Sequence, residues 1–156
     1  ENNIAFKGGN IMKWIVEIVN GLIEVYKTRN VYELLDLLEI TLIKKKLIND
    51  EKGRFLRDMF GNETIFISNE LANEEERIVI AHELGHLILH TDLSTSYYTE
   101  NHLLNKDQIE VQANKFAAEL LIPDNVEIYE GMTTKELACY LEVSEELVKL
   151  KYKDVI

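Results

Sequence analysis

The chain has 156 residues, of which 46% are hydrophobic and 29% charged, a composition typical of one soluble globular domain. Its formal net charge of −11 argues against nucleic acid or an anionic membrane as the main partner, and no apolar run is long enough to cross a bilayer. The single cysteine, Cys139, rules out a disulfide within the chain and fits a reducing compartment, so we expect a cytoplasmic protein.

The first part of the chain is predicted to contain two helices and then a small sheet. Residues 1–11 show no clear pattern, and we interpret them as a candidate leader or tag before Met12. Apolar residues at helical spacing predict a helix from Met12 to about Thr28, and Asn30 is the predicted N-cap of a second helix. Strands are predicted over residues 40–43, 54–60 and 64–68. Because these strands meander into the next helix, we expect a small antiparallel sheet of about three strands.

The rest of the chain is predicted to be helical, which gives one α+β domain that spans all 156 residues. Asn73 with Glu76 three residues later resembles a capping box, so the first of these helices should begin near Glu74. A polar segment, residues 91–105, follows that helix and is interpreted as an active-site loop. The predicted helices cover residues 74–90, 106–122, 134–141 and 144–152. The last two form a C-terminal helix pair within residues 133–156.

The clearest chemical signal is the motif His82-Glu83-Leu84-Gly85-His86, which lies in an apolar run predicted to be a helix. His82 and His86 are four residues apart, so both imidazoles leave one face of the helix, a spacing that suits two ligands of a tetrahedral Zn²⁺. Glu83 lies about 100° round the helix from His82, where it can act as a general base without being a ligand. The alternative is a chance pattern, but ionisable groups on an apolar helix are costly unless they are paired.

A catalytic zinc site normally has a third protein ligand. The candidates are His90, Asp92, Glu110 and Glu119. His90 lies about 12 Å along the helix from His82, so it is better interpreted as a core histidine or as a partner of a ligand. Asp92 is not preceded by the glycine turn that would bring it back to the motif. Glu110 is favoured because a second helix packed on the first can aim its carboxylate at the histidines. Asn114, one turn later, could hydrogen-bond a ligating histidine.

Residues 82–90, followed by residues 110–123, resemble the ImmA/IrrE-type metallopeptidases, and the likeness covers most of the chain. The resemblance implies a zincin-like fold with the His-Glu-x-x-His motif on a central helix and a gluzincin-type site. One Zn²⁺ per chain would be bound by His82, His86 and Glu110, with Glu83 as the general base. One departure is Gln112, which stands where many members carry an acidic residue.

The resemblance also implies a function. The protein would be a zinc-dependent endopeptidase, an antirepressor that cleaves a specific transcriptional repressor of a phage, a mobile element or a stress regulon. Its partner would be a protein substrate encoded nearby, with neither nucleic acid nor membrane expected. An extended substrate could add alongside the strand at residues 64–68 if that edge is exposed. Tyr97, Tyr98 and His102 are candidate donors to the oxyanion, although residues of these types are more often packing or surface residues.

A competing hypothesis comes from residues 137–148, which resemble a helix-turn-helix with Val143 and Ser144 at the turn. The protein would then be a non-cleaving, metal-bound regulator or adaptor that binds a repressor or DNA. Residues 124–156 contain eight acidic and four basic residues. A recognition helix that begins with Glu145 and Glu146 would meet phosphates with the wrong charge, so packing or partner docking is favoured.

Overall fold

In the computed structural model, residues 12–91, 106–124 and 131–152 are described. These residues form the helices α1 (Lys13–Tyr26), α2 (Val31–Leu37), α3 (Asn73–Leu89), α4 (Lys106–Leu121), α5 (Thr134–Leu141) and α6 (Glu145–Lys151), and the strands β1 (Thr41–Lys45), β2 (Gly53–Arg57) and β3 (Glu63–Ser68). The predicted α+β class is confirmed. Among these residues, none of the helices has the length and hydropathy needed to span a membrane.

The sheet is mixed rather than antiparallel, which corrects the sequence-based expectation. Its strand order is β1-β3-β2, with β2 antiparallel to β3 and β1 parallel to β3. The chain reverses between β1 and β2 and again between β2 and β3, so β3 regains the direction of β1 and lies between the two. Because β3 is paired on both edges, the prediction that a substrate adds alongside residues 64–68 is wrong.

The hydrophobic core lies between the inner face of the sheet and the helices. Residues of β3 alternate as in a half-buried strand, with Ile65 and Ile67 fully buried and Phe66 between them partly exposed. α3 packs on β2 and β3 and contacts α4 extensively along its other side. The core side chains contributed by these two helices include Ile80, Leu84, Leu87, Phe116 and Leu120. α3 is therefore the central helix of the fold, as the sequence predicts.

Two N-caps are predicted before the motif, and the structure confirms one and contradicts the other. The Asn30 side chain accepts hydrogen bonds from the backbone N–H groups of Tyr32 and Glu33, which confirms its predicted role. The capping box at Asn73 is wrong, because Ala72 is the N-cap and makes no side-chain cap bond. Glu76 instead accepts a 2.6 Å hydrogen bond from the Tyr32 hydroxyl and pairs with Lys44, which ties the start of α3 to α2 and β1.

Arginine side chains satisfy carbonyl groups at the C-terminal ends of three helices. Arg57 of β2 donates to the carbonyls of Leu87 and Thr91, at 2.7 and 2.8 Å, and pairs with Glu63. Arg77 of α3 donates in the same way to the end of α5, and Arg29 to the end of α4. The last carbonyls of a helix have no partner within it, so these bonds fix where α3 ends relative to the sheet.

Candidate metal centre

The crossing of α3 and α4 depends on Gly85, the glycine inside the motif. A β-carbon built at Gly85 would lie 3.1 Å from the ring of Phe116 and 3.2 Å from the carbonyl oxygen of Ala113. A hydrogen in place of a side chain therefore lets the backbone of α4 approach α3 closely at this point. Glu110 precedes Ala113 by almost one helical turn, so the close crossing sets its carboxylate opposite the histidines.

Two imidazoles and one carboxylate converge at this crossing. The Nε2 atoms of His82 and His86 are 3.1 Å apart, and they lie 3.0 and 3.2 Å from the two carboxylate oxygens of Glu110. The His86 side chain is 4% exposed and that of His82 19%, whereas that of Glu110 is 45% exposed. All three ligand atoms lie within 4.8 Å of one another, so one cation could contact each of them. Two imidazole nitrogens with a carboxylate are a donor set that suits catalytic zinc.

The other ring nitrogens of the histidines are held by side chains outside this cluster. His82 Nδ1 lies 2.7 Å from Asn114 Oδ1, and because an amide oxygen only accepts, Nδ1–H is the donor. His86 Nδ1 lies 3.1 Å from His90 Nδ1, and His90 Nε2 lies 2.9 Å from Gln112 Oε1. The structure thus places His90 and Asn114 beside the two histidines of the motif, each against an Nδ1 atom.

Glu83 is buried beneath the main chain of β2. Its side chain faces Gly53, where a β-carbon would lie 3.1 Å from Glu83 Oε1 and 2.5 Å from Val79 Cγ1. A cleft of about 470 Å³ opens here, lined by Gly53, Val79, His82, Glu83, Asn114 and Ser144 among others. Burial raises the pKa of the Glu83 carboxyl to about 7, a shift that His82 opposes and the nearby carboxylate of Glu110 increases.

The ionisable side chains of the cluster shift one another's pKa values. Hydrogen bonds from His82 and His86 hold the pKa of the Glu110 carboxyl well below its usual range. Burial acts to lower the pKa of His82, but the hydrogen bond to Glu110 and the charge of Glu83 outweigh it, and the pKa of His82 is raised. Burial, with repulsion from His86 and His82, lowers the pKa of His90.

Of the other proposed third ligands, Glu119 lies away from the cluster. Its two carboxylate oxygens pair with Lys115 and Lys151, each at 2.6 Å, and the side chain is almost completely buried. Lys151 also bonds to Asp124. Four further sequence-predicted candidates lie outside the described residues: Asp92, Tyr97, Tyr98 and His102.

Sequence reasoning missed two residues of this region. Gly53 lies just before the strand predicted over residues 54–60 and was given no role, whereas it is the point at which β2 lies against Glu83. Gln112 stands out in the sequence only as a departure from a family pattern, and its contact with His90 joins residues 22 positions apart. The position of Gln112 on α4, two residues after Glu110, was the one available signal that it lies near the cluster. Helical spacing alone does not show which residue of another helix a side chain contacts.

Known proteins match most of the chain. A family model described as the IrrE N-terminal-like domain matches residues 38–153. The chain is 38% identical over 136 residues to uncharacterized immunity region protein 2 of Bacillus phage phi105, which covers 85% of each protein. It is 30% identical over 148 residues to metallopeptidase ImmA of Bacillus subtilis (strain 168), which covers 92% of this chain and 86% of ImmA. The chain therefore belongs to the ImmA/IrrE family and is a metallopeptidase.

Proposed function

We propose that this metallopeptidase is a zinc-dependent endopeptidase that cleaves a transcriptional repressor of a phage, a mobile element or a stress regulon. The observation that carries the catalytic part is the convergence of His82, His86 and Glu110, with Glu83 buried beside them. The repressor part is supported by a relative at 38% identity that is named an immunity region protein of a phage.

The proposed roles follow from the positions of the side chains. His82, His86 and Glu110 would hold one Zn²⁺ through two imidazole nitrogens and a carboxylate, at the atoms that now lie 3.0–3.2 Å apart. A bound zinc would lower the pKa of a water molecule and polarise the scissile carbonyl. Glu83 would accept the proton of that water and return it to the leaving amine. Asn114 and His90 would keep the two imidazoles in orientation.

The sequence favoured β3 as the strand beside which a substrate binds, but β3 is central, and β2 is an outer strand that could take this role. β2 is at one end of the strand order, and its main chain at Gly53 lies against Glu83. An extended peptide that pairs with the outer side of β2 would run past the general base. We therefore assign the substrate-binding edge to β2.

The non-cleaving regulator is the weaker hypothesis, because the C-terminal helix pair is packed into the fold. Leu147 and Val148 of α6 are buried, and the Lys115 side chain of α4 donates to the carbonyl of Leu150. The N-terminal turn of α6 carries Glu145, whose carboxylate accepts from Thr134, next to the exposed Glu146. These contacts favour a packing role over phosphate recognition.

The test combines zinc content with cleavage of the repressor encoded beside this gene. Wild type and Glu83→Gln should each hold one zinc per chain, His86→Ala and Glu110→Ala should hold much less, and of these four proteins only wild type should cleave. Asp107→Ala is the matched control, since it removes an exposed carboxylate from the first turn of α4. Zinc retained by Glu110→Ala would exclude Glu110 as the third ligand. A zinc-loaded wild type that leaves the repressor intact would favour the regulator.

A further inference from the structure

The outer face of the sheet carries a groove that the proposed catalytic residues do not use. Phe66 lies between the buried Ile65 and Ile67 of β3, so its ring points away from the core. Its partner across the strands, Arg54 of β2, faces the same side. A groove of about 340 Å³ lies beside these two side chains and is further lined by Lys45, Lys46, Ile48, Glu51 and Leu56. We propose that this groove is a docking site for the protein substrate, and that it binds a segment in which carboxylates flank an apolar side chain.

The groove is positively charged in a chain whose formal net charge is −11. Glu51, the one carboxylate among the described lining residues, accepts two hydrogen bonds from Arg54, at 2.9 and 3.1 Å, so these two charges offset each other. Lys45 and Lys46 are exposed, and within the described part of the chain neither has a carboxylate partner. Their two ammonium groups therefore give the groove a net positive charge, which attracts an anionic partner.

The groove also exposes apolar surface. Leu56 is 40% exposed and Ile48 73% exposed, although leucine and isoleucine are residue types that a fold usually buries. The Lys45 ammonium lies 4.9 Å from the centre of the Phe66 ring, so a charge is held directly over the apolar floor. A segment that fits this lining supplies an apolar side chain for the floor and carboxylates for the two ammonium groups.

The position of the groove connects it with the metal centre. Glu51 lines both the groove and the cleft that contains Glu83. Gly53 lies against Glu83 on one face of β2, and the next residue, Arg54, lines the groove on the other face. A substrate chain that leaves the cleft past Glu51 would therefore enter the groove, which favours the substrate over an unrelated partner. The inference deepens the proposed function, since it rests on a protein substrate that reaches Glu83.

Two other occupants fit the charges less well. A symmetric dimer centred on this groove would bring Lys45 and Lys46 of one copy close to the same residues of the other, and like charges repel. A nucleic acid would supply negative charge, but the chain as a whole, at −11, would repel a polyanion. A short acidic segment carries less charge, and its apolar side chain can also cover the floor of the groove.

Fluorescence anisotropy tests the groove without any cleavage. The probe is a labelled synthetic peptide in which a leucine is flanked by glutamates, and the protein is zinc-loaded Glu83→Gln. In this background the groove variant, Lys45→Gln with Lys46→Gln, should weaken peptide binding about threefold to tenfold at low salt. The difference should shrink at high salt, because exposed charges are screened. Leu56→Ser should weaken binding as well, since the apolar side chain of the peptide would lose its contact.

The matched control is Lys13→Gln with Lys27→Gln, which removes the same charge from exposed positions at the start of α1 and just after its end, outside the groove. It should bind the peptide as tightly as the parent protein. Equal binding by the control and the groove variant, or no binding by the parent, would overturn the proposal. A single-stranded oligonucleotide that displaces the peptide, or a wild-type dimer that the groove variant loses, would also overturn it in favour of those occupants.

Cleavage of the repressor encoded beside this gene separates the groove from the identity of the substrate. In otherwise wild-type enzyme, the groove variant should raise KM about threefold to tenfold and leave kcat unchanged, as expected when uniform binding is lost. An unchanged KM would overturn the role of the groove in substrate docking. If wild type cleaves no repressor but peptide binding depends on Lys45 and Lys46, the repressor is the wrong substrate and the acidic docking site stands.

Discussion

Gly85 lies against the backbone of Ala113, so closely that a methyl group at position 85 would be 3.2 Å from the Ala113 carbonyl oxygen. The contact joins the helix that carries the two histidines to the helix that carries Glu110. A backbone carbonyl in the middle of a helix cannot rotate away as a side chain can, so an added methyl group must push the two helices apart.

The first prediction is that Gly85→Ala destabilises the protein and weakens its metal site. Overpacking costs about 1–3 kcal/mol, which exceeds the gain of about 1 kcal/mol expected when alanine replaces glycine in a helix. Thermal unfolding and zinc titration would measure both effects. Gly21→Ala is the control, because nothing lies within 4 Å of a β-carbon at that position of α1, and it should stabilise the protein. A Gly85→Ala variant as stable as Gly21→Ala, with wild-type zinc affinity, would show that the crossing tolerates a side chain.

The second prediction concerns Gly53, where the main chain of β2 covers Glu83. A β-carbon there would lie 2.5 Å from Val79 Cγ1, and a valine in a helix has little freedom to change its rotamer. Gly53→Ala should therefore displace Glu83 or β2 and lower kcat/KM about 10–100-fold, while zinc content stays at one per chain. Zinc analysis and peptide cleavage on the same preparation separate these two effects. Full activity in this variant would mean that Glu83 does not depend on its contact with β2.

The third prediction is a pH dependence of stability caused by Glu76. Burial acts to raise the pKa of Glu76, but its bonds to Lys44 and Tyr32 outweigh burial, so the pKa is lowered from the ordinary 4.5. A carboxyl whose pKa is lower in the folded state stabilises the fold above its ordinary pKa, and this contribution is lost as the pH falls through the folded-state value. In metal-free protein, Glu76→Gln should cost about 1–3 kcal/mol at pH 7, and the difference from wild type should shrink below about pH 4.5.

Urea unfolding of wild type and Glu76→Gln between pH 3 and pH 7 would measure this difference. Glu74→Gln serves as the control, because it removes a charge from the same first turn of α3 at an exposed position. A difference between wild type and Glu76→Gln that stays constant down to pH 3 would contradict the assigned pairing.

The fourth prediction separates stability from metal binding at Glu119. Glu119→Ala would leave Lys115 and Lys151 close together without the carboxylate that now lies between them, which should destabilise the fold by about 3–5 kcal/mol. Under conditions where this variant is folded, its zinc affinity should equal that of wild type, because position 119 is about 13 Å along α4 from Glu110. Zinc titration in the folded protein checks this, and a loss of zinc without a loss of stability would reinstate Glu119 as a ligand.

Local sequence signals were sufficient to place most of the helices and the histidine motif. Asn30 is the predicted N-cap of its helix and accepts the expected backbone hydrogen bonds, and the helix predicted to start at Ser144 has that residue as its N-cap. Such signals work because a cap or a helical face involves residues within one or two turns of each other. The region that contains Glu110 was likewise predicted to be a helix long enough to pack on the motif.

The errors concern contacts between residues that are distant in the sequence. Glu76 looked like half of a capping box, but Tyr32, 44 positions earlier, binds its carboxylate. Glu110 was preferred to Glu119, but the sequence did not show that Glu119 pairs with Lys151, which lies beyond the end of their shared helix, as well as with Lys115. The parallel pairing of β1 with β3 depends on which strand is inserted between the others, and the local patterns of the strands do not encode this.

The contact at Gly53 also has an evolutionary consequence. The wall above Glu83 is main chain rather than side chain, so its shape is the same for any sequence of β2 that retains the glycine. A neighbouring position of β2, Leu56, has an exposed side chain that does not form this wall. Descendants of one ancestral gene could therefore change the partner they recognise by substitutions along the strand while the Glu83 carboxylate kept the same main-chain wall.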